Sequence, residues 1–113
     1  MKLSFVALAV VAALAVVYAQ QVMPRMSTVE PGNGKAGDVI TVAGENLQKD
    51  AISKVYLTDG KIDTEVQIIK QTPTAIKFKI PTKTAAGRLA LMVLTAGKDP
   101  KLMEQPVKVQ IEE

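Results

Sequence analysis

The sequence predicts an all-β sandwich of about seven short strands. Short runs alternate between apolar and polar residues, most clearly where Ile76, Phe78 and Ile80 alternate with Lys77 and Lys79. Residues that favour turns separate these runs at intervals of about eight to twelve residues. Beyond the signal-like amino terminus, no segment shows the apolar spacing of an amphipathic helix.

The amino terminus has the pattern of a secretory signal. Lys2 precedes an almost purely apolar run at residues 3–17, which ends in Val17-Tyr18-Ala19 before Gln20, as expected near a cleavage site. The run is shorter than the ~20 apolar residues of a transmembrane helix, so a removed signal is favoured over a retained anchor. We expect a signal peptide at residues 1–19, cleavage between Ala19 and Gln20, and one domain at residues 20–113. The domain is then exported to the periplasm, the cell surface or the medium, without stable membrane insertion.

Composition narrows the class of protein. The chain has 113 residues, of which 48% are hydrophobic and 4% aromatic, and a formal net charge of +3. Basic and acidic residues are interspersed, whereas a nucleic-acid footprint requires clustered charge, so no nucleic-acid partner is expected. Cys is absent. Burial alone must therefore stabilise the domain, and a lipid-attached lipoprotein is not indicated.

The first strands flank a glycine-rich turn. Met26 and Val29 are the expected inward side chains of the first strand, and Pro24 limits that strand to a sheet edge because proline cannot donate a ladder hydrogen bond. Residues 31–38 (PGNGKAGD) tolerate positive φ at several positions, which predicts a tight reversal. A strand follows at residues 39–43, and Leu47 is expected to plug the edge of the core.

The next strands follow from alternation and turn signals. Val55 and Leu57 are expected to face inward, which turns Tyr56 outward. Asp59-Gly60 is a strong hairpin signal, and another strand is expected at residues 65–70. Residues 89–94 are apolar on both faces, which predicts a central strand. Residues 101–104 are expected in a loop before a last strand that places three side chains inward: Val107, Val109 and Ile111.

These residues resemble the IPT/TIG domain, an immunoglobulin-like fold that plexins and some transcription factors share. The resemblance covers nearly all of residues 20–113, and Leu47 stands where such domains usually carry an aromatic residue. It implies an immunoglobulin-like β-sandwich that serves as a module of receptors, polysaccharide-acting enzymes or bacterial surface proteins, and it carries over no catalytic residue. The motifs are Pro24, Val29 and Pro31; Gly37-Asp38 before Ile40-Thr41-Val42; Gly44-Glu45-Asn46-Leu47; Val55-Tyr56-Leu57 with Gly60; residues 74–81; and Gly87 before Leu89, Leu91 and Val93.

One motif suggests a nucleotide cofactor. Gly32, Gly34 and Gly37 have the G-x-G-x-x-G spacing of dinucleotide-binding proteins. That fingerprint works only where it opens a helix whose amide groups hold the pyrophosphate. Here an alternating strand follows, so we interpret the glycines as a structural turn and expect no cofactor.

The sequence offers few residues for catalysis or metal binding. The chain has no His and no Cys, which leaves Ser27 and Ser53 without a base and disfavours transition-metal sites. Asp59 and Asp63 do not have the spacing of a calcium loop. We therefore expect no catalytic residue and no metal site, and a small hydrolase is the weakest of the functional classes considered.

Two sets of outward residues remain as candidates. Lys77 and Lys79, with Lys70 nearby, form either a basic stripe for an acidic glycan or a charged guard against edge pairing. The second set is apolar and comprises Tyr56, Ala90, Met92 and Leu94. It either marks a partner surface or is covered by the loop at residues 101–104.

The functional hypothesis is an exported, non-catalytic binding or structural module with a protein partner. The alternative is a carbohydrate-associated accessory domain that binds a glycan. Self-association of the chain stays open.

Overall fold

A computed structural model describes residues 23–113 of the protein. The expected signal peptide at residues 1–19 and the cleavage site at Ala19 and Gln20 lie outside the described residues. Among the residues described, no helix has the length and apolar character needed to cross a bilayer. The described chain forms nine strands: β1 (Arg25–Glu30), β2 (Asn33–Lys35), β3 (Val39–Glu45), β4 (Ile52–Thr58), β5 (Asp63–Glu65), β6 (Gln67–Gln71), β7 (Ala75–Lys79), β8 (Gly87–Thr95) and β9 (Leu102–Glu112).

The strands form two sheets that enclose one core. One sheet has the order β1-β3-β7-β6, and the other has the order β2-β9-β8-β4-β5. The predicted all-β sandwich is thus confirmed. Strand β1 lies at a sheet edge, as Pro24 predicts, and β8 lies in the middle of its sheet, as its two apolar faces predict.

The core consists of the inward side chains of both sheets. Ile40 pairs with Phe78 in the four-stranded sheet, and Leu89 pairs with Val109 in the five-stranded sheet. Leu47 is fully buried and belongs to the same cluster, which confirms its expected role as a plug. Within residues 23–113, Gln105 is one of two buried polar residues. Its Oε1 accepts a hydrogen bond of 2.7 Å from the Met26 backbone N–H and so ties β9 to β1 of the opposite sheet.

The exit from β3 explains the motif Gly44-Glu45-Asn46-Leu47. A Cβ atom on Gly44 would overlap the Arg25 carbonyl oxygen and lie 2.9 Å from Met26 Cα, so only glycine permits the close approach of β1. Asn46 has a positive φ of 59°, and its Nδ2 donates to the Met23 carbonyl at 3.0 Å. The chain thereby turns sharply and directs Leu47 into the core.

Residues 31–38 differ from the expected loop because they include β2, which pairs in parallel with β9. Gly34 faces the core at this point, and a Cβ atom there would lie 3.0 Å from Ile80 Cδ1. The tight reversal itself is present between Lys35 and Asp38, whose backbone N–H donates to the Lys35 carbonyl at 2.9 Å. Gly37, at the third position of this turn, has the positive φ of 93° that a type II turn requires.

The expectation of one strand at residues 65–70 is wrong. The segment divides into β5 and β6, which belong to different sheets. Val66 lies between them, buried, and its N–H donates to the Val55 carbonyl at 3.0 Å. The hairpin signalled by Asp59-Gly60 does form between β4 and β5, but its loop spans the four residues from 59 to 62 rather than two.

Candidate functional site

The four outward apolar residues of the sequence prediction lie on one face of the five-stranded sheet. Tyr56 of β4 is the direct partner of Met92 of β8, while Ala90 and Leu94 flank Met92 along the same strand. Tyr56, Met92 and Leu94 are half-buried, and Ala90 is 8% exposed. We call these four residues the Tyr56 face. Their adjacency is a structural finding, and a binding role for them stays a prediction.

Charged residues of both signs surround the Tyr56 face. In the sheet register, Glu65 lies opposite Tyr56 and Lys54 lies opposite Leu94. On the other side, Glu104 lies opposite Met92 and Lys108 lies opposite Ala90. The Lys54 Nζ is 3.8 Å from the Glu65 Oε1, and both side chains are about half exposed. The face therefore has an apolar centre and a rim of mixed charge.

The suggestion that a loop at residues 101–104 covers this face is wrong. Strand β9 begins at Leu102 and lies beside β8 in the plane of the sheet, with Leu102 opposite Leu94. Leu102 is 55% exposed and extends the apolar surface instead of shielding it. Pro106 lies where the register between β8 and β9 shifts, an irregularity that tolerates proline within a strand.

The sequence reasoning missed Leu102 and Glu104 as part of the site. The sequence does contain a signal for them. Met103 and Gln105 occupy the same alternate positions as the inward Val107 and Val109, so Leu102 and Glu104 fall on the outward positions. Pro106 interrupts the run, however, and a proline within a run favours a loop for the segment before it. The alternation across Pro106 identifies which residues face outward.

The residues weighed for cofactor and metal chemistry have structural partners. The segment after Gly37 is strand β3, so no helix terminus is presented at the three glycines. The Asp59 Oδ1 accepts hydrogen bonds of 2.8 Å from the N–H groups of Ile62 and Lys61, and these bonds lower the pKa of Asp59. The Asp63 Oδ1 accepts from the Thr58 hydroxyl at 2.7 Å. Within residues 23–113 there is no cluster of three acidic side chains that could hold a metal ion.

The two serines are dispersed. Ser53 donates its hydroxyl to the Leu94 carbonyl at 3.1 Å, and Ser27 is exposed on β1.

A groove of about 500 Å³ at the end of the sandwich is lined by residues that include Pro24, Gln48 and Met103. The Gln48 Oε1 is buried there without a partner in the described part of the chain. No aromatic ring lines the groove, so it offers a sugar no stacking platform.

Comparison with known families decides the classification. A model of the IPT/TIG domain matches residues 24–111. The chain belongs to the IPT/TIG domain family. The order of its motifs and the sandwich geometry agree with this assignment, so the resemblance seen in the sequence is confirmed. No curated protein matches the chain in sequence.

Solved structures share the fold of this IPT/TIG domain at low sequence identity. A γ-CGTase from alkalophilic Bacillus clarkii is 20% identical with a TM-score of 0.63, over 82% of this chain and 13% of that chain. An auxiliary nutrient binding protein from Bacteroides ovatus is 19% identical with a TM-score of 0.59, over 81% and 21%. SGBP-B of the Bacteroides ovatus mixed-linkage glucan utilization locus, in complex with a mixed-linkage heptasaccharide, is 16% identical with a TM-score of 0.55, over 79% and 22%. The chain thus spans about a fifth or less of each of these longer chains.

Proposed function

We propose that this IPT/TIG domain is an exported, non-catalytic binding or structural module that contacts a partner protein at the cell surface or in the periplasm. The Tyr56 face is the observation that carries the proposal. Its apolar centre and charged rim have the arrangement of a protein–protein interface, in which Tyr and Met are enriched at the centre. The face is a flat sheet surface, which suits the surface of a folded protein.

The charges of the rim specify the partner further. Lys54 and Glu65 lie on one side of the apolar centre, and Glu104 and Lys108 lie on the other. A complementary partner surface carries acidic and basic groups in alternation around an apolar patch. Rim charges of this kind steer association and select the partner, while the buried centre supplies most of the affinity.

Three further observations support the non-catalytic and exported parts of the proposal. The candidate nucleophiles and carboxylates are dispersed or bound by structural hydrogen bonds, as described above. The proteins with similar structures include one named an auxiliary nutrient binding protein, which supports a binding role. Residues 1–17, with their single Lys2 and apolar run, are consistent with export.

The variant Met92→Asp, which introduces a negative charge, tests the Tyr56 face. A carboxylate at the centre of an interface must be desolvated on binding, so we expect Met92→Asp to abolish association with the partner. Ile62→Asp is the matched control, because Ile62 is 66% exposed in the β4–β5 loop and outside the face. Chemical cross-linking in the exported fraction, together with analytical ultracentrifugation of the pure domain, distinguishes a different protein from a second copy. If every association persists in Met92→Asp, or none exists in the wild type, the proposal fails.

A glycan-binding accessory domain is the second candidate function. The observation that favours it is the similarity of the fold to a nutrient binding protein and to a protein in complex with a heptasaccharide. Among the described residues Tyr56 is the one partly exposed aromatic ring, since Phe78 is fully buried. A glycan array tests this candidate. Saturable binding that is lost in Tyr56→Ala and kept in Tyr56→Phe favours glycan stacking over a protein partner.

A further inference from the structure

The outer face of the four-stranded sheet carries three exposed lysines, Lys70, Lys77 and Lys79, which we call the basic face. Lys70 of β6 is the direct register partner of Lys77 of β7. Lys79 lies two residues along β7 from Lys77 and therefore points to the same side. Directly opposed residues on neighbouring strands have Cβ atoms about 5 Å apart, so like charges in this position repel.

No ion pair among the described residues neutralises the basic face. The ion pairs within residues 23–113 are Lys54 with Glu65 and Lys101 with Asp99, and neither involves the three lysines. On the same face, the nearest carboxylate along the Lys77 row belongs to Glu30 of β1, which pairs with Thr41. Glu30 and Lys77 are separated by two strand spacings of about 4.8 Å each, or about 10 Å in all. This distance exceeds the Debye length of about 8 Å at physiological ionic strength.

Acidic and basic residues are also distributed less evenly along the chain than the small net charge of +3 suggests. Residues 66–98 contain no acidic residue. The same stretch contains six basic residues: Lys70, Lys77, Lys79, Lys83, Arg88 and Lys98. Glu65, which lies just outside this stretch and lines a shallow depression with Lys79, is paired with Lys54 of the other sheet. The three lysines thus form no ion pair with an acidic side chain within residues 23–113.

Edge protection does not account for this arrangement. Lysines guard a sheet against aggregation when they occupy an edge strand. Lys70 lies on the edge strand β6, but Lys77 and Lys79 lie on β7, which is enclosed between β3 and β6. Two of the three lysines thus have no edge to protect, and the opposed pair costs stability.

We propose that the basic face binds an anionic polysaccharide, with its carboxylate or sulfate groups on Lys70, Lys77 and Lys79. The proposal goes beyond the protein-binding role of the Tyr56 face, because it uses the opposite sheet. Val39 pairs with Lys79 and is 45% exposed, and Ile69 at the β6 bulge is 52% exposed. These flanking apolar side chains suit the C–H faces of sugar rings that lie between charged groups.

Other polyanions fit the basic face less well. Single-stranded nucleic acid requires aromatic side chains on which bases stack, and no strand of the four-stranded sheet presents an exposed aromatic ring. A membrane surface requires a continuous apolar face or a second anchor besides the basic patch. Val39 and Ile69 lie on opposite sides of β7 and form no continuous apolar surface.

The test is binding of the pure domain to polygalacturonate at low ionic strength, with dextran as the uncharged control. The triple variant K70Q/K77Q/K79Q is compared with K49Q/K61Q/K101Q, which removes the same charge from exposed positions outside the basic face. One exposed charge pair contributes little, but the first variant removes three contacts with the polysaccharide at once, so we expect roughly tenfold weaker binding. The second variant removes no such contact, and we expect its binding to weaken less than about twofold. Binding should also weaken as salt is added.

Several results would overturn the proposal. These are the absence of binding by the wild type, equal losses in the two triple variants, or stronger binding to anionic lipid vesicles or single-stranded DNA than to polygalacturonate. Thermal unfolding checks the folding of K70Q/K77Q/K79Q, which should be at least as stable as the wild type because it lacks the opposed lysines. The Met92→Asp variant should bind polygalacturonate like the wild type. A failure of this proposal is thereby distinguished from a failure of the Tyr56 face.

Discussion

Replacement of Gly44 by alanine should destabilise the sandwich at the contact between β1 and β3. The three atoms nearest to the added Cβ belong to the backbone, namely the carbonyl group of Arg25 and the Cα atom of Met26 at 2.9 Å. A flexible side chain could move aside, but a paired strand cannot do so without stretching its hydrogen bonds. Strand β1 must therefore shift away from β3, and the shift also pulls the fully buried Met26 side chain from the core.

The expected magnitude follows from the cost of overpacking a close contact. Forcing extra atoms into a packed region typically costs about 1–3 kcal/mol, and partial withdrawal of Met26 places Gly44→Ala near the middle or top of this range. For a domain of this size, about 2 kcal/mol lowers the Tm by roughly 8–16 °C. The assay is thermal unfolding followed by circular dichroism, with urea unfolding as a second measurement of the free energy.

Gly32→Ala provides a matched control for the same substitution. A Cβ atom on Gly32 meets nothing within 4 Å, and the reduced entropy of the unfolded chain makes this change neutral or slightly stabilising. Similar Tm values for Gly44→Ala and Gly32→Ala would refute the reasoning, since they would show that β1 does not press against β3 at this point.

Three further predictions concern polar contacts. Gln71→Leu should cost about 1–3 kcal/mol in urea unfolding, because the Gln71 Nε2 donates to the carbonyls of Leu47 at 2.9 Å and Ile52 at 3.1 Å; Gln67→Leu on the exposed face of β6 is the control, and equal losses would contradict the prediction. Gln105→Leu should accelerate hydrogen exchange of the Met26 amide, which donates to the Gln105 Oε1 at 2.7 Å, and unchanged exchange would count against the tie between the sheets. The pKa of Asp59 is lowered in the folded protein by backbone hydrogen bonds from Ile62 and Lys61. Its contribution to stability is therefore present above the ordinary carboxyl pKa of 3.8 and is lost as the pH falls through the lower folded value. Asp59→Asn keeps an acceptor oxygen but does not titrate, so its Tm should fall less between pH 5 and pH 2 than that of the wild type, whereas parallel Tm curves would contradict this.

Local patterns in the sequence predict much of the fold. Ile76, Phe78 and Ile80 alternate with lysines because one face of β7 is buried and the other is solvated. The continuous apolar run of β8 has a different cause, since Leu89, Leu91 and Val93 are buried in the core while Met92 and Leu94 belong to the half-buried Tyr56 face. In β7 the environment of each residue repeats with the period of the strand, and the sequence records that period.

The parts that the sequence does not predict depend on contacts between distant segments. Strand β2 exists because Asn33, Gly34 and Lys35 meet the end of β9, from which they are separated by most of the chain. Three residues are too few to show a period. The change of sheet at Val66 is equally hidden from the sequence. One buried valine between two short strands fits the pattern of either strand, so the sequence does not show that the sheet changes there.

The candidate site shows the same division. The outward direction of Tyr56 and Met92 is a local property and agrees with the prediction, whereas their direct pairing depends on the register between β4 and β8. Ala90 is more buried than expected for a member of a binding surface, at 8% exposure. Its small side chain lies between the longer Thr58 and Lys108 of the adjacent strands. The charged rim depends entirely on register, and alternation alone does not reveal it.

The two outer faces of the sandwich differ in a way that the fold itself does not require. An immunoglobulin-like sandwich needs apolar residues only on its inner faces, so the outward residues are free to be uniformly polar. Here one outer face has Tyr56 and Met92 at its centre, and the other has Lys77 opposite Lys70 with no acidic partner. Both arrangements are less favourable for an isolated domain than a mixed polar surface, because the first exposes apolar area and the second opposes like charges. A bound protein on one face and a bound polyanion on the other would each remove that cost. The two faces are therefore better candidates for function than the three glycines, because Gly34 serves core packing and Gly37 serves a turn.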